Sequence, residues 1–99
     1  MNEENKELVC LHAIIEGRVQ GVGFRYFVQE RAIALGLTGW VRNRWNGSVE
    51  VDAEGEKQDL EKLYAALLRG PRSANVTNIN PQWLAAKGEY SHFNIRITA

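Results

Sequence analysis

Cysteine occurs once in the 99 residues, at Cys10, so the chain cannot close an internal disulfide. Positive charge has no surplus: Lys plus Arg and Asp plus Glu are both 12, and the formal net charge is zero. Nucleic-acid binders usually carry a basic excess, so this balance counts against that class. No apolar run approaches the ~20 residues that span a bilayer. The opening residues, Met1-Asn2-Glu3-Glu4-Asn5-Lys6-Glu7, are polar and acidic, unlike a secretory signal. A cytoplasmic protein with no membrane partner is the expectation. His12 and His92 are far apart, and neither has a Cys or acidic residue at ligand spacing. No metal and no cofactor are therefore expected. No Ser/His/Asp or Cys/His arrangement stands out either.

What is present is ordinary for a globular chain. Hydrophobic residues at 44% and charged residues at 24% argue against disorder. The length suits one core and is too short for two. Residues 1–7 read as a flexible N-terminal tail and residues 8–99 as a single domain.

Periodicity divides that domain. From Leu8 to Ile15 apolar residues alternate with a mixed face, which suits a central strand with helices on one side. From Phe24 to Leu35, Phe24, Phe27, Val28, Ala32 and Leu35 fall three and four apart and predict a helix. Leu37 to Arg44 and Ser48 to Ala53 read as strands around the hairpin signal Asn46-Gly47. Gly55 is expected to begin a turn. A second helix follows over Glu56 to Arg69, with Leu60, Leu63, Tyr64 and Leu67 inward and Gly70-Pro71 as its stop. A weaker strand covers Ala74 to Asn80, with Pro81 marking an edge or its exit. His92 to Thr98 alternates once more and predicts a short last strand. Cys10 is expected as a small core residue. Two helices on one face of an antiparallel sheet, in the order β-α-β-β-α-β with a short additional C-terminal strand, is an α+β sandwich.

Between the first strand and the first helix lies Gly17-Arg18-Val19-Gln20-Gly21-Val22-Gly23-Phe24-Arg25. One glycine there would be a tight turn. Three glycines followed by an arginine at a helix start point to an anion socket: unpaired N–H groups, the positive helix end and a planar guanidinium converge. No Gly-Lys-Ser/Thr ends the stretch, so it is not a Walker loop. Tyr26 stands where a dinucleotide fingerprint needs its third glycine. Asn43 is the other singular residue. Asparagine is disfavoured in strands, and taken alone it reads as a strand end beside the hairpin. Beside an anion socket it could instead orient a water.

These residues resemble the acylphosphatase family. Gly17 to Arg25 looks like its first signature. Gly39-Trp40-Val41-Arg42-Asn43, with Gly47-Ser48-Val49 and Gly55 following, looks like its second. The resemblance covers nearly the whole chain. It implies a ferredoxin-like sheet in the strand order fourth, first, third, second. It also implies metal-free hydrolysis of an acyl phosphate substrate to a carboxylate and inorganic phosphate. Carried over, the phosphate-binding residues are Gln20, Gly21, Val22, Gly23, Phe24 and Arg25, and the catalytic residues are Arg25 and Asn43. Arg44 and Trp45 depart from the family's usual small or uncharged residue and lighter hairpin, at positions outside the signatures. The implied working form is a monomer without a nucleic-acid partner.

Two other readings share the fold. A non-catalytic anion-binding or regulatory module would keep the loop and Arg25 but have no use for Asn43. A single-stranded nucleic-acid binder would need Phe24 and Phe27 on a strand, with Trp45 available for stacking. Here Phe24 and Phe27 fit the inward stripe of a helix.

Overall fold

The computed structural model describes residues 7–99, so the tail read over residues 1–7 lies outside the described residues except at its end. There the Glu7 carbonyl accepts a hydrogen bond from the Lys57 N–H at 3.0 Å. The elements are β1 (Leu8–Arg18), α1 (Phe24–Ala34), β2 (Thr38–Asn43), β3 (Val49–Glu56), α2 (Lys57–Arg69), β4 (Asn75–Ala85) and β5 (Phe93–Ile95). They form one five-stranded sheet in the order β4-β1-β3-β2-β5. The first four strands pair antiparallel, and β5 runs parallel to β2 at the edge.

Alternation along the strands sends one set of side chains toward the helices. Leu11, Ala13 and Ile15 of β1, Val41 of β2, and Val49, Val51 and Ala53 of β3 are fully buried there. Phe24, Val28 and Ala32 of α1 and Leu60, Leu63 and Leu67 of α2 close over them. Phe27, Leu35 and Tyr64 border this core half-buried. Each fully buried Leu removes enough apolar surface from water to contribute roughly 1.5–3 kcal/mol.

Several boundaries differ from those the pattern predicts. β1 continues past Ile15 to Arg18 through an irregularity between Glu16 and Gly17. Gly17 therefore belongs to the strand and not to the loop. Its φ of 122° brings it so close to β4 that a Cβ would stand 2.2 Å from the Asn75 carbonyl oxygen. Gly55 begins no turn: β3 runs through it to Glu56, paired with Val9 and Leu8. A side chain at Gly55 would meet Leu37, which accounts for glycine in a strand. β4 is longer than expected, with Pro81 inside it opposite Ala13. That is tolerable because β4 is an edge strand, whose outer side needs no donor. β5 is shorter than its alternation, and Ile97 is exposed.

Cys10 is buried, but not in the helix-covered core. It sits on the opposite face of the sheet, with its Sγ 3.5 Å from Asp52 Oδ1. Burial, with the negative charge of Asp52, pushes its thiol up to about 12. The cysteine is thus a protonated, unreactive group.

Candidate active site

The loop that leaves β1 spans residues 19–23. Val19 is fully buried and Val22 packs against the core, so the loop is pinned at two points. Between and beyond these pins the backbone changes hand. Gly21 has φ 73° and Gly23 φ 80°, while among the described residues none other than glycine has positive φ. Left-handed residues on either side of Val22 are the backbone pattern that can turn successive N–H groups toward one side. Among the described residues, the N–H groups of Gln20, Gly21, Val22 and Gly23 donate to no partner. Gly23 caps α1, and the first intrahelical bond runs from the Phe27 N–H to the Gly23 carbonyl at 3.0 Å. The N–H groups of Phe24 and Arg25 are thus free as well. The Phe24 side chain is buried, so that residue offers only its backbone.

The first turn of α1 contains no acidic residue, whereas α2 carries Asp59 in the same place. Arg25 stands in that first turn, half-buried. Among the described residues it forms no ion pair. From Gln20 to Arg25 the backbone thus offers a run of donors that meets no acceptor among the described residues.

Asn43 is the last residue of β2, paired with Val49 across the hairpin. Its Oδ1 is buried and, among the described residues, accepts no hydrogen bond. A buried amide oxygen without a donor costs about 1–3 kcal/mol.

The two halves are joined by a contact that no motif announces. The Gln20 side chain donates through Nε2 to the carbonyls of Arg44 (2.7 Å) and Ser48 (2.9 Å). These two residues adjoin the Asn43–Val49 pair. The side chain of Gln20 is therefore occupied by the hairpin, while its N–H stays unpaired among the described residues. The hairpin is stiffened further by Asn46, whose Oδ1 accepts from the Ser48 N–H at 3.0 Å and the Ser48 hydroxyl at 2.6 Å. From the other side, the Ala99 N–H donates to the Asn43 carbonyl and the Trp45 N–H to the Ala99 carbonyl, both at 3.2 Å. The Asn-Gly signal locates the turn in the sequence; the Gln20 bridge depends on pairing register and has no local signature. Trp45 is exposed at the hairpin.

A family model described as Acylphosphatase matches residues 11–95. The chain belongs to the acylphosphatase family. It is 48% identical over 85 residues to an acylphosphatase of Koribacter versatilis, covering 86% of this chain and 77% of that protein. Among solved structures it resembles an acylphosphatase from Coxiella burnetii, with TM-score 0.87 and 39% identity over 97% of this chain and 100% of the other. A second, from Bacillus subtilis, gives TM-score 0.86 and 40% identity over 89% of this chain and 98% of the other. The matched residues 11–95 include the whole donor arc and Asn43, and the strand order fourth, first, third, second is the one found here, with β5 added beside β2.

Among the described residues no group of three His, Cys, Asp or Glu could hold a metal ion, and no helix is long and apolar enough to cross a membrane.

Proposed function

We propose that the chain hydrolyses acyl phosphates to a carboxylate and inorganic phosphate, without a metal. The N–H groups of Gln20, Gly21, Val22, Gly23 and Phe24, with Arg25, bind the three non-bridging phosphoryl oxygens. Asn43 holds the attacking water. The single observation that carries this reading is the buried, unpartnered Oδ1 of Asn43 beside an arc of unpaired donors. An anion-binding module would need the arc alone.

The chemistry suits so small a set of groups. The water oxygen attacks phosphorus as the bond from phosphorus to the acyl oxygen breaks. The carboxylate leaves with the bonding pair and needs no proton at neutral pH, so no general acid is required. The Asn43 amide is no base, and the water's proton passes to a phosphoryl oxygen. Phosphoryl transfer then rests on positioning and on charge stabilisation by donors already in place. In this reading the working form is a cytoplasmic monomer without a nucleic-acid partner. A net charge of zero supports the last point.

The test is a steady-state assay with benzoyl phosphate, run with and without a chelator. The wild-type chain should turn over equally in both. Asn43→Ala should lower kcat by about 100-fold, with inhibition by inorganic phosphate unchanged. Loss of phosphate inhibition together with kcat would assign Asn43 to binding instead of to water.

A further inference from the structure

Two cavities differ in chemistry, and one of them touches the donor arc, at Gly23. One, of about 230 Å³, is bordered by Glu16, Gly17 and the hairpin residues Asn46, Gly47 and Ser48, and is polar. The other, of about 480 Å³, starts at Gly23 and follows α1 past Tyr26, Phe27 and Ile33, with Pro71 on its far wall. That volume falls within the roughly 300–1,000 Å³ of small-molecule sites.

We propose that this second groove receives the acyl group, and that the site selects acyl phosphates with an apolar, uncharged acyl chain. The inference rests on the hydrolytic reading above. In-line displacement places the water and the departing carboxylate on opposite sides of phosphorus. Asn43 holds the water from the sheet, at the end of β2. The leaving group therefore departs toward the helix layer, where Gly23 caps α1, and the groove begins at that residue.

The walls fit such a guest. Tyr26 and Ile33 are 69% and 60% exposed, large apolar side chains that the core does not use. Phe27 joins the lining one position on from Tyr26, with the Arg31 guanidinium 4.8 Å from its ring centroid. Glu30 adds a negative charge to the lining, which disfavours acyl groups bearing a second carboxylate. From Gly23 to Ile33 the helix rises about 15 Å. A benzoyl group reaches only the Tyr26 end, and a decanoyl chain runs toward Ile33.

The experiment compares acetyl, benzoyl and decanoyl phosphate, the last below its micellar concentration, on the wild-type chain and on Ile33→Ser and Tyr26→Ser. Both positions are exposed, so neither substitution opens the core. Ile33→Ser should raise KM for decanoyl phosphate about threefold to tenfold and leave acetyl and benzoyl phosphate unchanged. Tyr26→Ser should raise KM for benzoyl and decanoyl phosphate alike. Inhibition by inorganic phosphate should be the same in all three proteins. Equal effects on all substrates, or none on decanoyl phosphate in either variant, overturn the groove while the hydrolytic site stands. Failure of the wild-type chain to hydrolyse any of the three overturns the site itself, and the groove with it.

Discussion

Two polar regions of this molecule lie back to back along β2, and they treat their charges in opposite ways. On the open face of the sheet, the charged groups have partners. Glu50 accepts from His12 at 2.7 Å and from Arg42 at 2.8 Å. Asp52 meets Cys10 and the Tyr90 hydroxyl, and Glu54 accepts the N–H groups of Lys87 and Gly88. The guanidinium groups of Arg42 and Arg96 both lie over the Trp40 ring, 4.9 and 4.6 Å from its centroid. At the loop end, by contrast, the N–H groups from Gln20 to Arg25, the Arg25 guanidinium and the Asn43 Oδ1 have no partner among the described residues. Arg42 and Asn43 are neighbours in sequence, yet alternation puts Arg42 in the paired network and leaves the Asn43 Oδ1 buried without a donor among the described residues. Where polar groups are paired they hold strands in register. Where the fold leaves them unpaired, it accepts a loss of stability that substrate binding can repay.

The contrast is sharpest between two arginines. Arg25→Ala should cut kcat/KM for benzoyl phosphate by at least ~100-fold, and Arg25→Lys should recover little, because an ammonium lacks the planar two-point contact. Arg42→Ala should leave kcat/KM near wild type. Near-normal turnover in Arg25→Lys, or a large loss in Arg42→Ala, would break the division between the regions.

Gln20 tests the bridge between loop and hairpin. Gln20→Ala should lower kcat/KM about tenfold and stability by about 1 kcal/mol, since two carbonyls lose a donor and the loop loses its tie to the hairpin. Gln20→Glu should do no better, because a carboxylate cannot donate to carbonyls. A chemical denaturation curve beside the kinetics separates the two effects. Wild-type kinetics in both variants would mean that the halves need no tie.

The smallest effects belong to the open face. Burial raises the Glu50 carboxyl, but hydrogen bonds from His12 and Arg42, with the Arg42 charge, outweigh it and hold it below its ordinary value. The folded chain thus binds this proton less readily than the unfolded chain. Its stabilising contribution is complete above the ordinary carboxylate pKa of roughly 4.3 and is lost as pH falls through the lower folded value. Glu50→Gln should cost about 1 kcal/mol at neutral pH, lessen the loss of stability on acidification, and leave kcat unchanged. Thermal unfolding from pH 7 down to pH 3 is the measurement.

Much of this was legible before any coordinates. The stripes Phe24–Val28–Ala32 and Leu60–Leu63–Leu67 placed both helices, because burying an apolar face requires that spacing whatever lies opposite. The hairpin was legible in Asn46-Gly47, and the left-handed turn ahead of α1 in Gly21 and Gly23. Boundaries set by pairing were not. Gly17 and Gly55 resemble turn residues in isolation but lie within strands: at Gly17 the Asn75 backbone comes too close for a side chain, and at Gly55 the Leu37 side chain takes the space. Pro81 ends a strand in most contexts and here sits inside one, since nothing pairs with its outer side.

The sequence by itself therefore determined which segments bury apolar surface and where the chain turns sharply. These are consequences of local periodicity and local backbone freedom. Only the tertiary structure decided that Gln20 bonds to Arg44 and Ser48, that Cys10 faces Asp52 instead of the core, and that Asn43 Oδ1 is left without a donor. Those facts depend on strand order and register, which join residues 24 to 42 positions apart, and no local pattern carries that information.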